Sequence, residues 1–95
     1  MLLQVPEGLE KYSETIVFSE TTVPEGLLSE HQTKAGVWGR LILYTGQLTY
    51  VEPGAKRQQN DLFAGDSIII EPETAHWVVL DGPVSFQIEF YRSSS

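Results

Sequence analysis

One stretch, residues 65–80, constrains the fold of this chain most, because a turn, a strand, a bend and a second strand follow one another in it. Gly65-Asp66 predicts a turn, since glycine takes a positive φ without penalty and aspartate can bond its own nearby backbone. The β-branched run Ser67–Ile70 has the length of a strand, and Pro72 ends it because proline has no N–H to give to a ladder. The stretch therefore predicts two successive strands joined by a proline bend.

The second strand of this stretch begins with a histidine. Alternation over residues 76–80 puts His76 and Val78 on one face and Trp77 and Val79 on the other. The returning strand therefore places one imidazole at the mouth of a sheet, where a ligand can reach it. Imidazole is the commonest metal ligand, and the alternative is a structural histidine that is hydrogen-bonded at a strand end.

The rest of the chain predicts a small all-β barrel or sandwich, with about eight short strands between turn signals and no convincing helical period. The clearest further strands are residues 12–18, 27–33, 38–45, 47–52 and 84–91. Gly46 predicts a hairpin between the third and fourth of these. We expect the last two strands to pair through the turn at residues 81–83, and residues 52–60 to form the most exposed loop.

The length of 95 residues predicts one domain, residues 1–95, with an irregular lead-in at residues 1–11 and a flexible tail at residues 92–95. Thirteen acidic residues against six basic ones give a net charge of −7. This charge disfavours binding to nucleic-acid phosphates and to anionic membrane surfaces.

Cysteine does not occur in the sequence, which excludes disulfides, thiolate metal sites and cysteine nucleophiles. The first residues lack the basic start and the long apolar run of a signal peptide, and no apolar stretch has the length of a transmembrane helix. We therefore expect a cytoplasmic protein that binds neither nucleic acid nor membrane.

The stretch described first resembles the second motif of the cupin superfamily. In that motif a Gly-Asp turn leads a strand into a proline bend, and a histidine on the next strand faces the barrel interior. Here these positions are Gly65, Asp66, Pro72 and His76, and Glu73 stands where the bend usually has a glycine. The resemblance implies a small single-domain cupin, which is a double-stranded β-helix or jelly-roll barrel.

The first cupin motif is present only in part. Gly46 fits its turn, but Gly39 stands near the position of its glutamate, so that carboxylate is missing. His31 and Thr33 stand, slightly shifted, near the position of its histidine pair, and the second histidine is lost. The incomplete motif counts against a metal-dependent enzyme, since it removes part of the usual ligand set.

The run EHQTKAGVWGRL at residues 30–41, followed by the Gly46 turn, is similar to a particular small cupin domain. That domain is found at the amino end of some tellurite-resistance methyltransferases and in short stand-alone relatives. The similarity covers most of the chain and implies a compact, dimeric, bacterial barrel. The link of those proteins to tellurite comes from their neighbouring methyltransferase domain, and for this chain we expect a role in tellurite, metalloid or oxidative stress. A methyltransferase domain is not readable here, so we expect no methyl transfer by this chain itself.

The two histidines are the candidate metal ligands. The resemblance brings His31 and His76 to the same cavity, and we expect them to bind one divalent ion such as Zn(II), Ni(II), Fe(II) or Mn(II). Glu89, the acid inside the last strand, is the candidate third ligand. The large apolar residues that alternate with it would instead turn Glu89 outward.

Trp38, Arg40 and Tyr44 share one face of their strand and form a candidate ligand pocket. The planar guanidinium of Arg40 suits an oxyanion or another small anionic ligand. The alternatives are a salt bridge from Arg40 to Glu30 or Glu89, a solvated outer face, and core packing for the two aromatic residues.

Three functions remain open on the sequence. The first is a binding module that holds a divalent metal ion or a small anionic ligand in the barrel. The second is a metal-dependent enzyme of the dioxygenase or isomerase type, for which no catalytic residue is assigned. The third is a structural dimerisation domain without metal. The apolar edge at residues 15–18 supports a homodimer in each case.

Overall fold

The structure, a computed structural model, describes residues 5–54 and 58–93 of the chain. Within these residues it has eight strands and one four-residue helix, which confirms the predicted all-β class. In chain order the elements are β1 (Leu9–Glu14), β2 (Phe18–Ser19), α1 (Glu25–Leu28), β3 (Trp38–Thr45), β4 (Gln47–Glu52), β5 (Gln58–Phe63), β6 (Ser67–Ile70), β7 (Trp77–Leu80) and β8 (Ser85–Ser93).

Two antiparallel sheets form the barrel. The larger sheet has the strand order β1-β8-β3-β6, with β2 also pairing to β8, and the smaller sheet has the order β5-β4-β7. One apolar core takes side chains from both sheets, so their inner faces meet. Two facing antiparallel sheets are the arrangement of a jelly roll.

Burial of apolar side chains in the core determines which face of each strand turns inward. Leu43 and Phe86 of the larger sheet and Leu48 and Tyr50 of the smaller sheet have no solvent exposure. Removing one such side chain from water stabilises a fold by about 1.5–3 kcal/mol. In β3 the inward residues are thus Gly39, Leu41 and Leu43, and the residues between them face outward.

Gly46 sends the chain from the larger sheet to the smaller one, so the predicted hairpin across it is wrong. β3 pairs with β6 and β8, whereas β4 pairs with β5 and β7. Gly46 has a φ of 84°, and a Cβ there would lie 2.1 Å from the Pro83 carbonyl oxygen. Each strand has an apolar face that the opposite sheet covers, and burial of these faces favours the crossing over a flat hairpin.

The predicted pairing of the last two strands is wrong for the same reason. β7 pairs with β4 in the smaller sheet, and β8 pairs with β1, β2 and β3 in the larger sheet. Residues 81–83 therefore form a second crossing between the sheets. Pro83 of this crossing packs against Gly46 of the first one.

The Gly65-Asp66 turn forms as predicted and is fastened to β3. Asp66 Oδ2 accepts a hydrogen bond from the Phe63 N–H at 2.9 Å. The Gly65 N–H donates to the Leu43 carbonyl at 2.8 Å, and the Leu43 N–H donates to the Asp66 carbonyl at 2.9 Å. β6 follows the turn and ends at Ile70, ahead of Pro72.

The first third of the chain differs from the prediction. Residues 12–18 divide into β1 and β2 with residues 15–17 outside strands, and β1 begins at Leu9, inside the predicted lead-in. Residues 27–33 are not a strand, because α1 begins after Pro24 and an irregular segment follows it. That segment is mostly polar and offers no continuous apolar face for a sheet to bury.

Two predicted irregular regions are also shorter than expected. β5 begins at Gln58, so it takes the end of the predicted loop at residues 52–60, of which residues 55–57 lie outside the described part. Arg92 and Ser93 belong to β8, and the rest of the predicted tail lies outside the described part. Among the described residues, no helix has the length and apolarity needed to cross a membrane.

Candidate functional site

Two histidines meet where the segment after α1 returns to the start of β7. His31 and His76 form an isolated antiparallel bridge. The His31 N–H donates to the His76 carbonyl at 3.0 Å, and the His76 N–H donates to the His31 carbonyl at 2.8 Å. Their ring centroids are 4.2 Å apart, with an interplanar angle of 66°. The fold thus brings the two candidate metal ligands together, although His31 does not come from a strand.

Backbone carbonyls fix the tautomer of both imidazoles. His31 Nδ1 lies 2.8 Å from the Ser29 carbonyl oxygen, and His76 Nδ1 lies 2.8 Å from the Thr74 carbonyl oxygen. A carbonyl oxygen only accepts, so each Nδ1 carries the hydrogen and donates it. Each neutral ring therefore keeps its lone pair on Nε2, and this arrangement is the one that metal-binding histidines commonly have.

His76 is buried, yet its Nε2 is not sealed in the core. The side chain is 3% exposed, and its ring is in contact with the rings of His31 and Tyr50. Within the described part of the chain, the Tyr50 hydroxyl is the one fully buried side-chain polar atom without a hydrogen-bond partner. No hydrogen-bond partner of His76 Nε2 is seen among the described residues, and His76 is one of the residues that line the cavity described below.

Burial lowers the pKa of His76, because the charged imidazolium loses hydration inside the barrel. The hydrogen bond to the Thr74 carbonyl acts in the opposite direction, and the neighbouring His31 adds to the lowering. The balance keeps His76 neutral at pH 7, which leaves Nε2 free to accept a hydrogen bond or to bind a metal ion.

Tyr50 is the residue of this site that sequence reasoning missed. Its ring stacks on His76 with centroids 5.3 Å apart and an interplanar angle of 27°. Burial raises the pKa of the Tyr50 hydroxyl far above its usual value, and the negative charge of Glu52 adds to this, although no hydrogen-bond acceptor in the described chain reaches it. The available signal was its position beside Leu48 on the inward face of β4.

A cavity of about 440 Å³ opens above the two imidazoles, and we call it the histidine cavity. Its size is within the usual range of small-molecule sites. Its apolar wall consists of Leu27, Val37, Ile70, Ile88 and Phe90, and its polar lining consists of Tyr12, Ser13, His31, Gln32, Thr33, Lys34 and His76. Most of the lining surface is nevertheless apolar, which is typical of a site for a small ligand.

Trp38, Arg40 and Tyr44 do not line this cavity, so the predicted pocket is corrected. They lie on the outer face of β3, because Gly39, Leu41 and Leu43 take the inward positions between them. The Tyr44 hydroxyl donates to Gln87 Oε1 at 2.7 Å, and Tyr44 is 44% exposed. The three residues share one face of β3 as predicted, but this face is the outer one and not the one that lines the cavity.

Glu89 also lies on the outer face and does not join the histidines. Its carboxylate is 3.4 Å from Arg40 Nη1 and 3.2 Å from Lys11 Nζ, and it accepts a hydrogen bond from the Tyr91 hydroxyl at 2.9 Å. Partial burial works to raise the pKa of Glu89, but the Tyr91 hydrogen bond and the two cations outweigh it and lower the pKa. Among the described residues, no group of three or more His, Cys, Asp or Glu could hold a metal ion. Glu89, the candidate third ligand, therefore does not lie beside the two histidines.

Residues 13–88 match the sequence model of one protein family, the TehB-like domain. No curated protein matches the chain. The family match covers most of the strands and both histidines, so it includes the whole bridge between His31 and His76.

Several solved structures share the fold. A crystal structure of a protein from Escherichia coli strain K12 has a TM-score of 0.86 at 25% identity and covers 99% of this chain and 100% of that chain. TehB from Haemophilus influenzae has a TM-score of 0.76 at 22% identity, over 92% of this chain and 32% of that chain. The chain therefore spans about a third of TehB. The cupin domain of Drosophila melanogaster CENP-C, with a TM-score of 0.54 at 16% identity over 90% of this chain and 61% of that chain, shows the fold alone.

Proposed function

Since the chain belongs to the family of TehB-like domains, we propose that it is a small cupin binding module that holds a divalent metal ion between His31 and His76. The observation that carries the proposal is the pair of adjacent imidazoles, in an edge-to-face arrangement, whose Nδ1 atoms both donate to backbone carbonyls. The ring centroids are 4.2 Å apart, and each neutral ring keeps an Nε2 lone pair that can bind a metal ion. A divalent ion within reach of both Nε2 atoms would form two coordinate bonds.

The donor set suits a borderline divalent ion. Two neutral imidazoles are appropriate ligands for Zn(II), Ni(II), Fe(II) or Mn(II). The remaining positions fall to water or to polar side chains of the cavity such as Gln32 and Thr33, because no carboxylate of the described chain lines it. We therefore expect moderate affinity and open coordination positions that a small ligand can occupy.

Calorimetric titration of metal-free protein with Zn(II), Ni(II) and Fe(II) tests the proposal. We expect one site in the native chain and a loss of affinity of at least tenfold in His31→Gln and in His76→Gln, because each removes one of two protein ligands. Glu89→Gln is the matched control, since its carboxylate lies on the outer face with Arg40, and it should leave the isotherm unchanged. Unchanged binding in both histidine variants would contradict the proposal.

For the cellular setting we propose the response to tellurite, metalloid or oxidative stress. This setting rests on the resemblance to the small cupin domain of tellurite-resistance methyltransferases, and the family match and the likeness to about a third of TehB agree with that resemblance. A strain without the gene should grow less well in tellurite, and the native chain should restore growth where the His31→Gln/His76→Gln double variant does not. The purified chain should transfer no methyl group from S-adenosylmethionine to tellurite, and methylated tellurium in that assay would contradict this expectation.

A further inference from the structure

The lining of the histidine cavity differs in charge from the rest of the molecule. The chain has 13 acidic and 6 basic residues. Even so, no carboxylate belongs to the described residues that line the cavity, and Lys34 is the one fully charged side chain there. Among the described residues, the lining thus carries one cationic side chain, the exposed Lys34, and no carboxylate, in a protein of net charge −7.

Lys34 also differs from the other cationic side chains that the structure describes. Lys11 pairs with Glu14 and Glu89, and Arg40 pairs with Glu89. The Arg92 guanidinium lies 4.2 Å above the ring centre of Tyr12. Lys34 alone in this described set has neither an acidic partner nor an aromatic ring, so its ammonium group is available to an external anion.

A second cationic side chain, Arg92, lies near the Tyr12 side of the cavity. Tyr12 lines the cavity, and Arg92 covers the Tyr12 ring. The guanidinium is not part of the lining, and Glu10 lies opposite Arg92 where β1 pairs with β8. Among the described residues, Lys34 is therefore the cation on which an anion in the cavity would depend.

The apolar wall of the cavity limits which kinds of anion fit there. Leu27, Val37, Ile70, Ile88 and Phe90 provide apolar surface over much of the cavity. A ligand with several charges would have to desolvate them against this wall, which costs free energy. A ligand without charge would leave Lys34 unpaired.

We propose that the histidine cavity binds a small monocarboxylate with an apolar tail, with the carboxylate at Lys34 and the tail against the apolar wall. The site shares the cavity with the proposed metal ion, but the inference rests on Lys34 and the apolar residues and not on the histidines. It assigns a ligand class to the space that the proposed metal site leaves open.

The probes are hexanoate, hexan-1-ol and hexylamine, which have the same tail and different head groups. Each is titrated into isotopically labelled, EDTA-treated protein and followed by amide chemical shifts. We expect hexanoate to bind up to about fivefold more tightly than hexanol, which is the upper end of what an ion pair with the exposed Lys34 allows. Hexylamine should bind weakest. The shifts should concentrate at the cavity residues, and added salt should reduce the preference for hexanoate.

Variants of Lys34 test whether this residue is responsible for the preference for hexanoate over hexanol. Lys34→Gln should bring hexanoate to the affinity of hexanol, and Lys34→Glu should favour hexylamine over hexanoate. Lys11→Gln is the matched control, because it removes the same charge from the outer face, where Lys11 pairs with Glu89. It should leave the preference for hexanoate unchanged.

The outcomes separate this inference from the proposed metal site. Equal affinity for hexanoate and hexanol, no binding of any probe, or full affinity for hexanoate in Lys34→Gln would overturn the inference. Hexanoate binding that requires Zn(II) and is lost in His31→Gln would also overturn it, while the metal proposal would stand. Hexanoate binding in protein that gives no heat with Zn(II) would support the inference and contradict the metal proposal.

Discussion

At the scale of single residues, Gly46 is where one added methyl group conflicts most directly with the fold. Its φ is 84°, and a Cβ there would lie 2.1 Å from the Pro83 carbonyl oxygen. We expect Gly46→Ala to lower the free energy of unfolding by about 3 kcal/mol or more, because a backbone clash adds to the cost of a positive φ. Urea denaturation followed by tryptophan fluorescence measures the loss.

Gly82→Ala is the matched control for this prediction. Gly82 has a similar φ of 89°, but no atom lies within 4 Å of the Cβ that alanine would add. The control should therefore lose only the conformational part, about 1–2 kcal/mol. Equal losses in the two variants would contradict the close approach of Gly46 to Pro83.

His76 gives a pH dependence whose sign follows from its burial. Burial lowers the pKa of His76 in the folded protein, while in the unfolded chain the pKa is about 6.5. The unfolded state therefore binds the proton more tightly, and the free energy of unfolding falls as the pH drops below about 6.5. The loss is at most about 1.4 kcal/mol per pH unit for this one group.

Urea denaturation of metal-free protein between pH 7.5 and pH 5 tests this dependence. The range stays above the ordinary pKa of the carboxylates, including Glu14 and Glu89, whose pKa values are lowered further by their partners. His76→Gln should show a flatter dependence than the native chain over this range. The same slope in both proteins would contradict the assignment to His76.

At the scale of elements, the bend between β6 and β7 positions the second imidazole. Glu73 in this bend has a φ of 56° and is the one non-glycine residue of the described chain with a positive φ. It stands where the cupin motif has a glycine. Its N–H donates to the Thr33 carbonyl at 3.1 Å, so the bend is also tied to the segment that carries His31. The bend therefore contains one strained residue, and it helps to hold the two histidines next to each other.

We expect Glu73→Gly to raise the free energy of unfolding by about 0.5–1 kcal/mol. Glycine takes the positive φ without the strain of a Cβ, and the greater freedom of glycine in the unfolded chain offsets part of this gain. Glu71→Gly is the control in the same bend, because Glu71 has no positive φ and should only lose stability. Thermal unfolding compares the two variants, and a loss in both would contradict the prediction.

At the scale of the whole molecule, we propose a homodimer that forms through the exposed apolar residues between β1 and β2. Ile16 is 71% exposed and Val17 is 50% exposed, and both lie beside β1 at the edge of the larger sheet. A second copy would cover this edge and its apolar residues, which an isolated chain leaves in water.

Light scattering at micromolar concentration tests the dimer. We expect the mass of two chains for the native protein and of one chain for Ile16→Glu, because a carboxylate would have to be buried in the contact. Phe63→Glu is the matched control, since Phe63 is an exposed apolar residue at 54% on β5 of the other sheet. A native protein with the mass of one chain would contradict the proposal.

The sequence alone determined the parts of this protein that depend on a few neighbouring residues. Alternation over residues 76–80 assigned His76 and Val78 to one face, and both are buried. The Gly65-Asp66 turn follows from the backbone preferences of two residues, and Asp66 caps it as expected. The resemblance to the cupin motif additionally predicted that His76 faces the barrel interior, and it predicted the cupin fold.

Only the tertiary structure decided which face of β3 turns inward, that Gly46 crosses between sheets, and that Tyr50 stacks on His76. β3 has large residues on both faces, so its alternation grouped Trp38, Arg40 and Tyr44 without giving their direction. A tight turn is compatible with a hairpin and with a crossing. The choice depends on how much apolar area two whole sheets bury against each other, and a pattern of a few residues does not contain that quantity.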